Sequence, residues 1–110
     1  MAELIKNIEH ATVVDLHDLV AYQTGKVVSR TLAQTGGAGI TLMAFDAGEG
    51  ISTHAAGGDA MVTVLEGEAQ ITIDGKDYVV PAGHAIVMPA GVPHAVRAAQ
   101  RFKMMLTVVF

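Results

Sequence analysis

Two histidines stand in the stretches of this chain that are best suited to chemistry. His54 lies within GISTHAAGGDAMVTVLEG, where a strand is expected to begin, and His94 lies within GHAIVMPAGVPHA, at the start of another predicted strand. An imidazole can ligate a metal ion, exchange a proton near neutral pH or hydrogen-bond to a bound molecule. The chain has no cysteine, so any metal ion would need histidine, carboxylate or amide ligands.

Other polar residues carry less weight. Arg30 lies in the run VVSRTLAQ with apolar neighbours on its own face. Such an arginine either pairs with an anionic ligand or extends its charged end into solvent, and the sequence favours the second role. His84 is predicted to lie in a turn, and His10 and His17 are predicted to lie on the surface.

Short β-rich runs separated by turn signals must position these side chains. Turn signals recur roughly every 8 to 12 residues, which is typical of an all-β sandwich or barrel. Runs this short leave no room for crossover helices, so antiparallel pairing follows. The predicted strands span residues 27–34, 39–46, 60–67, 68–74, 77–80, 85–89, 94–98 and 102–110. Asp74 and Gly75 between two of them predict a tight hairpin, because a type I′ turn needs positive φ at both central positions.

The N-terminal part has a different pattern. Residues 1–26 are predicted to form a segment with one short helix, and residues 27–110 are predicted to form the barrel. Within VVDLHDLV, apolar residues recur at helical spacing, and Asp15 stands where it could cap the helix.

The last run, FKMMLTVVF, is apolar on both of its faces, and GITLMAFD shows the same excess. A strand with only one covered face should alternate with polar residues. Either both faces are buried within one chain, or the outer face pairs two subunits. We favour a homodimer from this pattern.

The residues around His94 have a distinctive spacing. Gly83, Pro89, Gly91 and His94 follow the order G-x5-P-x-G-x2-H, in which glycine and proline shape a turn that aims the next side chain. This stretch resembles the second motif of the cupin superfamily, with Ala98 in place of its final asparagine. The first cupin motif then aligns through Gly48, His54 and Gly67.

The resemblance implies an antiparallel jelly-roll β-barrel, also called a double-stranded β-helix. In metal-binding cupins three histidines and a glutamate or glutamine hold an Fe, Mn, Ni, Zn or Cu ion inside the barrel. The corresponding positions here are His54, Ala56, Ala60 and His94, so two of the four are methyl groups. Asp59 could replace the acid only if a bulge turned it inward, because strand alternation otherwise places it opposite Ala60.

Three functions follow from these residues. We favour a small-molecule-binding barrel of unknown ligand that needs no metal, with a site formed by His54, His94, Asp59 and Arg30. The first alternative is a metal-dependent oxygenase or isomerase that holds Zn, Fe, Mn or Ni by His54, Asp59 and His94. The second is a non-catalytic scaffold or partner-binding barrel in which both histidines belong to the core.

Composition excludes several other classes. Acidic residues outnumber basic ones by 11 to 7, and the basic residues are scattered, which disfavours nucleic acid as a partner. No apolar run approaches the roughly 18 residues that span a bilayer, and the start lacks the features of a signal peptide. We therefore expect a cytoplasmic protein that does not bind membranes.

Overall fold

The computed structural model describes residues 3–110, and just over half of these residues lie in β-strands. One turn of 3-10 helix, Leu16–Leu19, precedes the strands. The strands are β1 (Val27–Gln34), β2 (Ala38–Phe45), β3 (Gly50–His54), β4 (Asp59–Glu66), β5 (Glu68–Ile73), β6 (Lys76–Pro81), β7 (Ala85–Met88), β8 (His94–Arg97) and β9 (Phe102–Val109).

The strands form two antiparallel sheets that face each other. One sheet has the order β1-β2-β9-β4-β7, and the other has the order β3-β8-β5-β6. The chain crosses repeatedly from one sheet to the other, which confirms the predicted jelly-roll fold. The Asp74–Gly75 hairpin joins β5 to β6 with φ of 49° and 79°, as the sequence predicts.

The strand prediction was wrong around His54, which is one of the two candidate site histidines. The sequence runs omit β3, and His54 is the last residue of that strand rather than its first. β3 has the sequence GISTH, and only Ile51 within it is partly buried. A strand this exposed and polar lacks the apolar alternation by which the other strands are found.

The main core lies between the two sheets. Residues that are paired across neighbouring strands share a face, so Phe45 and Phe102, which are partners on β2 and β9, both point inward. Their rings stack with centroids 4.5 Å apart and an interplanar angle of 6°. Val62, Val64 and Met104 are fully buried in the same cluster.

A second apolar cluster lies on the outer face of the five-stranded sheet. The N-terminal segment covers this face, where Val20, Leu16 and Leu19 pack against Leu32 and Leu42. The outward side chains of β2 are therefore buried within the same chain, which accounts for much of the two-faced apolar pattern. The predicted helix is confirmed as the 3-10 turn Leu16–Leu19, and Asp15 caps it by accepting from the His17 backbone N–H.

Lys103 fastens this segment to the barrel. It is only 8% exposed, and its Nζ donates to the His17 carbonyl oxygen at 2.6 Å. The same ammonium group lies 4.9 Å from the centroid of the Tyr22 ring. A buried charge is tolerated where hydrogen bonds and an aromatic face replace water. Among residues 3–110, no helix is long and apolar enough to cross a membrane.

Candidate functional site

His54 and His94 lie side by side at one end of the barrel. They are Cα partners across β3 and β8, and their ring centroids are 4.4 Å apart with planes inclined at 69°. His94 also opposes Ile73 of β5 on its other side. His94 is 3% exposed, whereas His54 is exposed to solvent. The pair therefore extends from the edge of the core, at His94, to the solvent, at His54.

Backbone carbonyl groups determine which ring nitrogen of His54 and of His94 carries the hydrogen. The Nδ1 of His54 lies 2.9 Å from the Ser52 oxygen, and the Nδ1 of His94 lies 3.1 Å from the Val92 oxygen. A carbonyl oxygen can only accept, so Nδ1 carries the hydrogen in both rings. In a neutral imidazole this leaves Nε2 with a free lone pair, which can accept a hydrogen bond or bind a metal ion.

The turn before β8 explains how His94 reaches this position. Gly91 adopts a φ of 74°, a conformation that glycine enters without steric cost. Its N–H donates to the Ala56 oxygen at 2.8 Å, and the Val92 N–H donates to the Pro89 oxygen at 3.2 Å. The turn thus binds the loop that follows His54, so both histidines are positioned by one set of backbone contacts.

Asp59 does not join the pair. Ala60 is buried at 3% exposure and points into the core, whereas Asp59 is exposed and lies on the opposite face of β4. The pairing of Asp59 and Ala60 with Val109 and Val108 is regular, and the register shift of β4 lies between Val64 and Glu66. The Asp59 carboxylate instead accepts from the Ala90 N–H at 2.8 Å. The bulge that would turn it inward is not present.

Arg30 also lies away from the histidines. It is the Cα partner of Leu42, which belongs to the outer cluster. Its Nη1 donates to the Asn7 oxygen at 3.2 Å. The structure therefore places Arg30 outside the barrel beside the N-terminal segment, as expected for the role that extends its charge away from the core.

The residues present do not fit the metal centre of metal-binding cupins. Two of its four positions are Ala56 and Ala60, and Asp59 faces outward, so among the described residues only His54 and His94 remain of this ligand set. Zinc and non-haem iron sites use at least three protein ligands.

Within residues 3–110, three potential ligand groups converge only at Asp15, His17 and Asp18, on the 3-10 turn outside the barrel. The Nδ1 of His17 lies 2.6 Å from an Asp15 oxygen, and Nε2 lies 3.1 Å from an Asp18 oxygen. The hydrogen bond with Asp15 raises the pKa of His17 and lowers that of Asp15. These contacts describe an exposed ion-pair cluster.

A cavity of about 410 Å³ lies on the inner face of the five-stranded sheet. Sequence reasoning missed it, although strand alternation could have indicated which side chains of β1, β2 and β9 point inward. Its walls include Thr31, Gln34, Thr41, Leu106, Val108 and Phe110.

The cavity and the histidine pair are at the same end of the barrel. Val109 near the end of β9 is the partner of Ala38 at the start of β2 and of Asp59 at the start of β4. Residues 55–58 connect that start of β4 to the end of β3, where His54 lies. Both features therefore lie at the same end of the barrel, and the cavity is lined by β1, β2, the turn between them and residues 106–110.

These features define a class: a small jelly-roll barrel with a histidine pair and a cavity at its open end. The Cupin domain family model matches residues 41–110, so the chain belongs to the cupin family. No curated protein matches it in sequence.

Solved structures agree in fold over nearly the whole chain. A conserved protein of unknown function from Streptococcus pyogenes is 49% identical, with a TM-score of 0.95 over 98% of this chain and 95% of that chain. A cupin superfamily protein from Desulfitobacterium hafniense is 30% identical, with a TM-score of 0.91 over 96% of this chain and 97% of that chain. A salicylate 1,2-dioxygenase from Pseudoaminobacter salicylatoxidans, at 17% identity and a TM-score of 0.70 over 76% of this chain and 26% of that chain, shares the fold alone.

Proposed function

We propose that this cupin binds a small organic molecule at the open end of its barrel without using a metal ion. The observation that carries the proposal is the arrangement of His54 and His94. Both rings use Nδ1–H on backbone carbonyls, which leaves two Nε2 atoms on adjacent strands as hydrogen-bond acceptors. The proposal is supported by a cavity at the same end of the barrel, which has the size of a small ligand pocket.

The same atoms allow proton transfer. An imidazole whose Nδ1–H is held by a carbonyl is oriented to accept a proton at Nε2 from a bound molecule. His94 is the better positioned base, because its burial and the turn at Gly91 restrict its motion. A reaction at this site would therefore begin with abstraction of a proton from the bound molecule.

The competing proposal is a metal-dependent enzyme with a reduced ligand set. Elemental analysis of the purified protein, alongside His54→Ala and His94→Ala, separates the two. We expect no stoichiometric Zn, Fe, Mn or Ni in any of the three proteins. A stoichiometric metal that is lost in both variants would overturn the metal-free proposal.

Ligand screening by thermal shift tests binding itself. We expect compounds that raise the melting temperature of the wild type and that lose this effect in His54→Ala and His94→Ala. His84→Ala is a matched control, because His84 also holds its Nδ1 against a carbonyl, that of Ala82 at 3.2 Å, but lies in the turn before β7. Hits that survive both substitutions, or no hits at all, would favour a scaffold barrel.

A further inference from the structure

No charged side chain lines the cavity at the histidine end of the barrel. Its apolar surface comes from Leu106, Val108 and Phe110, and its polar surface includes Thr31, Gln34 and Thr41. Hydroxyl and amide groups both donate and accept hydrogen bonds. The walls can therefore orient a polar group on a ligand, but they cannot neutralise an ion.

Thr31 and Thr41 are adjacent polar residues in the wall of the cavity. They are Cα partners on β1 and β2, and Thr41 is also the partner of Leu106 on β9. Among the described residues, neither threonine hydroxyl nor the Gln34 amide forms a hydrogen bond with another protein group. These groups are available to a ligand without breaking any internal contact.

Two basic residues in this part of the structure are directed away from the cavity. Arg30, which neighbours Thr31 in sequence, lies on the outer face of the sheet and donates to Asn7. At this end of the barrel Lys76 follows the β5–β6 turn, and its Nζ lies over the Tyr78 ring at 5.4 Å from the centroid. The residues that line the cavity include no charged side chain, so an ionised carboxylate there would exchange part of its hydration for neutral groups alone, which is unfavourable.

We propose that the ligand is an uncharged, largely apolar molecule with a hydroxyl or carbonyl group, which the Thr31–Thr41 pair orients. This inference rests on the proposed function, because it specifies the class of molecule bound at the same end of the barrel. A cavity of about 410 Å³ lies at the small end of the roughly 300–1,000 Å³ that ligand pockets occupy. A molecule of about the size of a substituted benzene ring fits this range.

Benzyl alcohol and benzoate are suitable probes, because they share a ring and differ in charge. Binding of each is measured at neutral pH by chemical-shift titration of the backbone amides of the full chain. We expect saturable shifts at β1, β2 and β9 with benzyl alcohol and binding of benzoate weaker by at least about tenfold. Equal or tighter binding of benzoate would overturn the inference, and Lys76→Met would then show whether Lys76 supplies the missing charge.

Two threonine variants test the orienting role. Thr41→Val removes a hydroxyl while keeping the side-chain shape, and we expect it to weaken benzyl alcohol binding about two- to tenfold, the worth of one hydrogen bond. Thr107→Val is the control, because Thr107 is paired with Ile40 and Met61 on the outer face. Unchanged binding in Thr41→Val, or no saturable binding of benzyl alcohol to the wild type, would contradict the inference. The proposed function fails separately, if ligands bind but the histidine substitutions leave their binding unchanged.

Discussion

The imidazoles of His54 and His94 meet edge to face across β3 and β8, with 4.4 Å between their ring centroids. One of the two is buried and the other is exposed. The two residues therefore differ in their surroundings: His94 packs at the edge of the core, whereas the His54 ring is exposed and hydrogen-bonds to the Ser52 carbonyl oxygen. Stability measurements should separate these two roles from ligand binding.

We expect His94→Ala to lower the free energy of unfolding by about 1–3 kcal/mol, because it removes a buried ring and leaves a cavity beside Ile73. His54→Ala should change it by less than about 0.5 kcal/mol, as is usual for an exposed side chain. Urea denaturation of both variants measures the difference. Equal losses in the two would show that the asymmetry in burial has no energetic consequence.

Local patterns in the sequence were sufficient for the fold and for half of the site. The Asp74–Gly75 turn, the Asp15 cap and the glycine and proline spacing before His94 each act through nearby backbone, so they could be predicted. The position of Asp59 depended on whether β4 starts with a bulge, which is decided by its pairing with β9. The face of Arg30 could not be assigned from the sequence either. Its strand is also apolar on the outer face, because Leu32 and Leu42 form a second cluster there under the N-terminal segment.

The glycine at the β4–β5 corner is more constrained than the glycine before β7. Gly67 has a φ of +73°, and a Cβ there would lie 2.6 Å from the Arg101 oxygen, whereas Gly83 has a φ of +82° and open space around it. We expect Gly83→Ala to cost about 1 kcal/mol from backbone strain, and Gly67→Ala to cost at least about 3 kcal/mol because strain and a backbone clash add. Comparable melting temperatures for the two variants would contradict the role assigned to the clash.

Lys103 should matter more for stability than other lysines. Lys103→Met keeps the apolar stem but removes the donor to the His17 oxygen, and we expect a loss of about 1–3 kcal/mol in the free energy of unfolding. Limited proteolysis should also cleave the N-terminal segment faster in this variant. Lys26→Met is the control, because Lys26 is exposed, and it should change stability by less than about 0.5 kcal/mol.

The His17 cluster should give stability a dependence on pH. The hydrogen bond with Asp15 raises the pKa of His17 above its usual 6.5, so its contribution is fully present below pH 6.5 and is lost as pH rises through the folded-state value. The lowered pKa of Asp15 makes its own contribution present above pH 3.8 and lost on further acidification.

Proton NMR titration of His17 measures the coupling directly. Asp15→Asn should lower its midpoint toward 6.5, and Asp18→Asn should lower it less, because the hydrogen bond with Asp15 is the largest cause of the shift. An unchanged midpoint in Asp15→Asn would show that the ion pair does not form in solution.

An uncovered part of the outer face remains on β9, β4 and β7. Met61 is 38% exposed, its partner Val87 is 50% exposed, and Val109 is 58% exposed. The N-terminal segment covers β1 and β2 but leaves these side chains open, so the two-faced apolar pattern of β9 is only partly accounted for within one chain. We propose that a second copy of the chain covers them in a two-fold dimer, because such a dimer buries the same patch on both subunits.

Light scattering at micromolar concentration should give the dimer mass for the wild type and the monomer mass for Met61→Glu, because the substitution would place two carboxylates in an apolar interface. Val79→Glu is a matched control: Val79 is 60% exposed and lies on the other sheet, so its dimer should persist. A monomer mass for the wild type would refute the dimer. A dimer that survives Met61→Glu but not Val79→Glu would instead locate the interface on the four-stranded sheet.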